Sequence, residues 1–324
     1  MHARLYRSLY RIRRLEEEVA RVYPTDKIRS PVHLSIGQEA ISVGACEALE
    51  PQDVVFGTYR GHALYLAKGG GNLRAMVAEL YGRASGCARG KGGSMHLIDP
   101  NVGVMGMSAV VGTTIANAAG HAYALRYRRQ DAIVVSFFGD GATEEGVFAE
   151  TLNFAVLKQL PILFICENNG YAIHTHQSRR QGTPAICKRA RAFGMPAERL
   201  DGNDLLQIVE RVKEARNKTC AGGGPQFFEV MTYRWREHVG PGCDFHLGYR
   251  AEDECRPWAE ADPVLRMAET IGAEQRKRIE SEVDAEIADA FAFAEASPYP
   301  EAAELMSDIF KEESDAACLA RSTG

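Results

Sequence analysis

The chain has 324 residues, 45% of them apolar and 25% charged, enough to bury a substantial core as one large α/β domain or two small ones. A net charge of −5 leaves no electrostatic footprint for nucleic acid, and no apolar run is long enough to span a bilayer. The eight cysteines form no CxxC pair or regular framework, and Cys46 and Cys166 stand in apolar runs as small core residues, so a reducing, cytoplasmic setting is expected.

In chain order, Leu5, Leu9, Ile12, Leu15 and Val19 recur at helical spacing and predict a helix over 3–22. The arginines at 4, 7, 11, 13 and 14 could suggest a transit peptide, but the apolar stripe runs straight into Glu16, Glu17 and Glu18, so the segment reads as a structural helix and the chain as mature and untargeted. A loop at 24–31 precedes a helix at 38–49, a short strand at 53–57 and helices near 60–67 and 72–81. The stretch 82–112 is too rich in glycine for regular elements and suits backbone that approaches a ligand closely. A helix over 113–128, with small residues Ala116, Ala118, Ala119 and Gly120, leads to a strand at 132–138. The next helix is predicted over 143–158, with Thr143 as N-cap before Glu144 and Glu145, followed by strands at 161–166 and 226–233.

Two stretches, 173–188 and 238–251, resist a regular reading and are expected to be functional or mobile loops. Their His174, His176 and His246 fit a solvated role as well as a functional one. Arg179, Arg180, Lys188, Arg189 and Arg191 read as a solvated or an anion-facing cluster. Beyond Asp262 the chain is amphipathic helix, acid-rich outside over 281–294. With no repeat and no linker, 1–324 reads as a single domain with a helical tail from about 262.

The chemistry lies in Gly139-Asp140-Gly141 after one apolar strand and Asn168-Asn169 after the next, with a helix between them. In a βαβ unit both fall beyond the carboxyl ends of parallel strands, where ligands of open sheets bind. A hard cation takes oxygen ligands of the kind Asp140 and an asparagine offer, and the glycines and the helix start present backbone N–H groups to a phosphate. Either piece alone is a weak signal, and the two together are far more specific.

The run GDGATEEGVFAETLNFAVLKQLPILFICENNGY, over 139–171, resembles the thiamine-diphosphate signature. With HLSIGQEA (33–40), TYRGH (58–62), GCARGKGGSMH (86–96), VVG (110–112) and MTYRWREH (231–238) in order, roughly residues 5–255 resemble the alpha subunits of 2-oxoacid and acetoin dehydrogenases that work with a lipoyl-bearing acyltransferase. The resemblance implies an α/β thiamine-diphosphate-binding fold, a mostly parallel sheet flanked by helices on both faces. It implies Asp140, the Asn169 side chain and the Tyr171 carbonyl as Mg²⁺ ligands, and Gly141 and Ala142 amides with Tyr59 and Arg60 on the diphosphate. Ala109 and Val111 would hold the aminopyrimidine ring by their backbone, and His62 and His238 would act near the diphosphate and the reacting carbon. Lys91, Ser94 and His96 would structure a loop, and Glu39 and Glu150 are expected to be structural.

The glutamate that activates the pyrimidine ring belongs, by the same resemblance, to a separate beta subunit. Two alpha and two beta chains, inactive apart, are therefore expected, together with a dihydrolipoyl acyltransferase. His62 after Tyr-Arg-Gly follows the pyruvate or acetoin pattern rather than the branched-chain one. TYRWREHVGPG keeps His238 but lacks the phosphorylatable serines of mitochondrial pyruvate relatives, so regulation there is not expected. A non-oxidative thiamine enzyme, a decarboxylase or split transketolase-like half, would share the metal motif, but the order HLSIGQEA to KGGSMH speaks against it. A nucleotide-binding module would need a GxxxxGK[ST] loop, which is absent.

Overall fold

A computed structural model describes residues 1–307. Its main sheet contains β1 (Val54–Thr58), β2 (Val104–Ser108), β3 (Val134–Gly139), β4 (Ile162–Asn168), β7 (Ala197–Asp201) and β8 (Gln226–Met231), while β5 (Tyr171–Ala172) and β6 (Thr175–His176) form a small antiparallel hairpin. The order is β2-β1-β3-β4-β8-β7, and every pairing in the main sheet is parallel. The central strands are buried on both faces, which is why β3 and β4 read as continuous β-branched and aromatic runs instead of alternating ones.

The alternation reappears in what each face meets. Val135, Phe137, Leu163 and Ile165 join a core with α1 (His2–Val22), α2 (Glu39–Glu47), α3 (His62–Ala67), α4 (Leu73–Leu80), α8 (Leu205–Lys218), α10 (Pro263–Ala268) and α11 (Ala273–Ala296). Val134, Phe138, Ile162, Phe164 and Cys166 join a second core with α5 (Thr113–Tyr127), α6 (Gly146–Leu157) and α7 (Ile186–Ala192). Helices thus cover both faces, as expected. Cys255, on α9 (Glu252–Glu260), packs in a small third cluster with Tyr171 and Tyr233. On α11 the buried Ile279, Val283, Ile287, Phe291 and Ala294 form the predicted inner stripe; the part of the tail from 308 on lies outside the described residues.

The structure shifts one helix start and adds two strands. The α6 helix starts at Gly146 with Glu145 as N-cap, because the chain after β3 first tightens into a 3₁₀ turn over Asp140–Glu144. Thr143 serves that turn, its Oγ1 donating to the Asp140 carbonyl at 2.7 Å. On α6 the apolar Phe154 and Leu157 are 37% and 70% exposed. The strands β2 and β7 went unread because β2 carries a glycine in the glycine-rich stretch, and β7, Ala-Glu-Arg-Leu-Asp at the sheet edge, buries only Leu200.

The glycine-rich stretch is organised by a buried carboxylate at the end of α4. Glu79 accepts hydrogen bonds from the amides of Ala88, Gly90, Gly92 and Gly93 at 2.7 to 3.0 Å. Gly90 and Gly93 hold φ of +77° and +57°, and a Cβ on Gly86 would lie 2.7 Å from the Glu79 Cα, so close wrapping requires glycine there.

The loop after β8 is equally well tied. Asp244, fully buried, accepts from Arg234 Nη1 at 3.0 Å, from Arg250 Nε at 2.8 Å and from the Tyr249 hydroxyl. The same segment lies against HLSIGQEA: Gly240 N donates to Val32 O at 2.8 Å and Trp235 N to Ile36 O at 3.2 Å. Sequence positions some 200 residues apart therefore share one wall.

Candidate functional site

The chain runs from β1 outward to β2 and then returns to place β3 on the other side of β1. Loops leaving β1 and β3 consequently diverge and open a crevice at their carboxyl ends, the position where doubly wound sheets bind ligands. A cavity of about 460 Å³ lies there. It is lined by Thr58, Tyr59 and Arg60 after β1, by Gly139, Asp140, Gly141 and Ala142 after β3, and by Glu167, Asn169 and Tyr171 at the end of β4. Ala109, Val111, His33, Gln38 and His238 complete much of the wall.

The two asparagines divide the work. Asn168 is fully buried, donating to Glu229 Oε1 at 2.9 Å and accepting from Gly170 N at 3.0 Å, and so fixes the turn. Asn169 faces the cavity, its Nδ2 donating to Gln38 Oε1 at 3.1 Å and its Oδ1 accepting from Tyr171 N at 3.1 Å. The Tyr171 hydroxyl donates to Glu254 at 2.7 Å, which ties the hairpin to α9. At Gly141 an added Cβ would stand 2.9 Å from the Ala172 Cβ, so glycine lets the β3 turn and the hairpin close on each other.

Among the described residues no group of three or more His, Cys, Asp or Glu side chains is arranged to hold a metal. A cation in this cavity would rely on a mixed oxygen set, with Asp140, Asn169 and the Tyr171 carbonyl all on the wall or its rim and further oxygens from a ligand. That donor chemistry fits a hard ion such as Mg²⁺, which keeps phosphate and water in its shell. Asp140 is 1% exposed, and burial raises its pKa against the opposing pull of Arg180.

A second wall is aromatic and cationic. His33, Tyr59 and His238 form a cluster, with ring centroids 4.4 Å apart for His33 and Tyr59 and 5.2 Å for His33 and His238. Arg60 reaches beneath it, donating to Leu34 O at 2.6 Å and His238 O at 3.1 Å, which joins three motifs through one guanidinium. Burial, and next the Arg60 charge, push both imidazoles down to about 3. Neutral at ordinary pH, each ring offers one N–H donor and one lone-pair acceptor. Burial likewise raises Glu167 to about 7, against Arg60.

The sign of the histidine effect gives a measurable outcome. Free histidine titrates near 6.5, so between about pH 6.5 and about 3 the unfolded chain binds protons that the folded chain refuses, and stability present above that window is lost as pH falls through it. Each imidazole is expected to remove about 1 to 2 kcal/mol between roughly pH 7 and pH 5. Urea unfolding of the wild type and of a His33→Gln/His238→Asn double variant at both pH values checks this: the variant's midpoint should fall less on acidification, and equal falls would refute it.

All the expected cofactor-side positions, Tyr59, Arg60, Ala109, Val111, Asp140, Gly141, Ala142, Asn169 and His238, line this one cavity, and Tyr171 does too. His62 does not. It is fully buried behind the wall, its Nε2 2.8 Å from Ser94 Oγ and its Nδ1 3.3 Å from Glu16 Oε1, so its position supports a framework role and not contact with a reacting carbon. Ser94 of KGGSMH is thereby a loop-tying residue, and its amide donates to Ser30 Oγ at 2.9 Å. Glu39 pairs with Arg13 at 2.5 Å inside the core, as a structural residue should.

The sequence reading passed over His33, Gln38 and Glu167. His33 opens a motif in which only Glu39 carries an expected role, and a lone histidine carries little signal. Glu167 directly precedes Asn168 at a strand end, the position that could have drawn attention to it. His174, His176 and His246 are all exposed. The arginine cluster splits: Arg180 pairs with Asp140 and Glu144, and Arg189 donates to Thr143 O at 2.9 Å, so both face acidic or carbonyl oxygens of the β3 turn.

A parallel sheet with an oxygen-rich crevice at its switch point is the architecture of doubly wound α/β proteins that bind ligands beyond their strand ends. Residues 7–303 match the model of the dehydrogenase E1 component, and the chain belongs to that family. Across 94% of its length it is 35% identical to the alpha subunit of acetoin:2,6-dichlorophenolindophenol oxidoreductase of Bacillus subtilis (strain 168), covering 92% of that protein. It is 37% identical to the chloroplastic pyruvate dehydrogenase E1 component subunit alpha-3 of Arabidopsis thaliana, covering 94% of this chain and 73% of that one. Identity to the pyruvate dehydrogenase E1 component subunit alpha of Rhizobium meliloti (strain 1021) is 36%, over 94% of this chain and 88% of that one.

Proposed function

We propose that this chain is the alpha subunit of a thiamine-diphosphate-dependent dehydrogenase that takes a small 2-oxoacid or acetoin and passes the acyl group to a lipoyl carrier. The observation that carries the reading is the convergence of Asp140, Asn169 and Tyr171 with Arg60 and the Gly141 turn on one switch-point cavity. Asp140, the Asn169 Oδ1 and the Tyr171 carbonyl would hold Mg²⁺. The amides of Gly141 and Ala142, the Tyr59 hydroxyl and spare Arg60 donors would meet the diphosphate, and the Ala109 and Val111 backbone the aminopyrimidine. Bound there, the cofactor supplies carbanion chemistry at its thiazolium ring. The chain's own residues orient it and exclude water, and the neutral His33 and His238 hold N–H groups toward negative oxygen.

A partner fits the surface. Val110 and Val111 at the cavity rim are 61% and 41% exposed, and Tyr123, Tyr127, Phe154 and Leu157 on α5 and α6 are exposed as well. Tyr123 and Phe154 meet with centroids 5.8 Å apart. Apolar exposure of this kind marks an interaction face and supports a beta subunit covering the cavity. The test is dye reduction with pyruvate, 2-oxobutyrate, 2-oxoisovalerate and acetoin, measured for the chain alone and co-purified with a candidate beta chain. Turnover is expected only for the pair and with the small substrates; robust turnover by the isolated chain would sink the reading.

A further inference from the structure

Arg180, read from sequence as part of a solvated or anion-facing cluster, faces two carboxylates instead. It lies on the irregular stretch after β6, yet its side chain is only 9% exposed. Nη2 donates to Asp140 Oδ2, Nη1 donates to Glu144 Oε1, and Nε donates to the Thr175 carbonyl at 2.8 Å. Gln181 and Arg189 brace the same turn: Gln181 Nε2 donates to Glu144 Oε1 at 2.8 Å and to the Asp140 carbonyl at 3.2 Å, and Arg189 Nη2 donates to Gln181 Oε1 at 3.0 Å.

Asp140 and Glu144 line the cavity, and Arg180 does not. It meets Asp140 through Oδ2 alone. We propose that Arg180 is the positioning residue of the metal-binding carboxylate, clamping Oδ2 so that Oδ1 is aimed at the cation. The assignment rests on the reading of the cavity as a metal-diphosphate site.

Three physical arguments support it. Carboxylates that ligate metals are themselves hydrogen-bonded by outer partners that fix their rotamer, and loss of such a partner costs metal affinity about 10- to 100-fold. A planar guanidinium fixes direction better than a flexible ammonium, and its third edge is spent on the Thr175 carbonyl, so the clamp is itself held. Glu144 also settles the charge. One arginine between two carboxylates leaves the trio net negative, so the guanidinium orders Asp140 without making the turn repel a divalent cation.

The test is the affinity for Mn²⁺ of the chain co-purified with its beta partner, read by electron paramagnetic resonance of the free ion with thiamine diphosphate present, a measurement that needs no turnover. Arg180→Gln is expected to weaken Mn²⁺ about 10-fold or more. Arg180→Lys keeps the charge and can reach one carboxylate, and is expected to lose less. An Arg180→Gln affinity equal to the wild type or tighter overturns the assignment, the latter because it would make the guanidinium a competitor of the cation. A lysine variant as weak as the glutamine variant overturns it too. A wild-type pair that binds no Mn²⁺ would instead overturn the metal-diphosphate reading itself.

Discussion

Asp140→Asn is expected to weaken Mg²⁺-dependent binding of thiamine diphosphate by more than about 100-fold, beyond the range seen when only an outer partner of a metal ligand is lost. The amide keeps the size of the carboxylate, so the cavity wall stays in place, but it offers a neutral oxygen where a hard cation needs charge. Stability should move little or upward. Asp140 is 1% exposed and burial works against its ionised form, so removing the charge relieves a desolvation cost, while Arg180 retains Glu144 as a partner. Calorimetric titration with the cofactor, beside thermal unfolding of the same preparation, reads both quantities. Binding within about 3-fold of the wild type would remove Asp140 from the site.

The largest loss of stability is expected far from any cofactor, at Glu79→Ala. Four amides of the glycine-rich stretch converge on this carboxylate, which is fully buried. Without it those half-buried donors lose their shared acceptor, at a cost of about 1 to 3 kcal/mol for each one that finds no new partner. A fall of roughly 3 kcal/mol or more in unfolding free energy follows, measured by urea titration. The effect should reach the cavity through Ser94, because the segment carrying it loses its centre, and with it the bond to the buried His62. A loss below about 1 kcal/mol would mean that the stretch holds its shape by other means.

Much of the architecture was legible because local pattern and global fold agree. The strands β3 and β4 announced themselves as doubly buried runs, and the acid-rich, Ile/Ala/Phe-lined α11 as an amphipathic helix. The Gly-Asp-Gly turn and the Asn pair marked two strand ends, and parallel topology brings those ends together. Less visible was everything decided by contact between remote segments. The strand β7 owes its place to the sheet edge, not to its own polar sequence. Arg180 looks like any loop arginine until the hairpin folds it onto Asp140. His62 and His238 looked alike as motif histidines, but α3 turns the first into the core while the β8 loop presents the second to the cavity. Side-chain direction at an element's end depends on packing that a motif does not encode.

The buried carboxylate at Asp244 has a consequence for how the chain can vary. Surface loops ordinarily absorb insertions and deletions cheaply, since lengthening a closed segment costs little entropy. The segment from Arg234 to Arg250 is pinned at its start, its middle and its end by one charge cluster, with Arg234, Asp244 and Arg250 all nearly inaccessible to water. Adding or removing a residue on either side of Asp244 would strand a charge in the interior. The stretch behaves as a gauge of fixed length between the last central strand and α9, and in any lineage of this chain its residue count should drift far less than its exposed sequence.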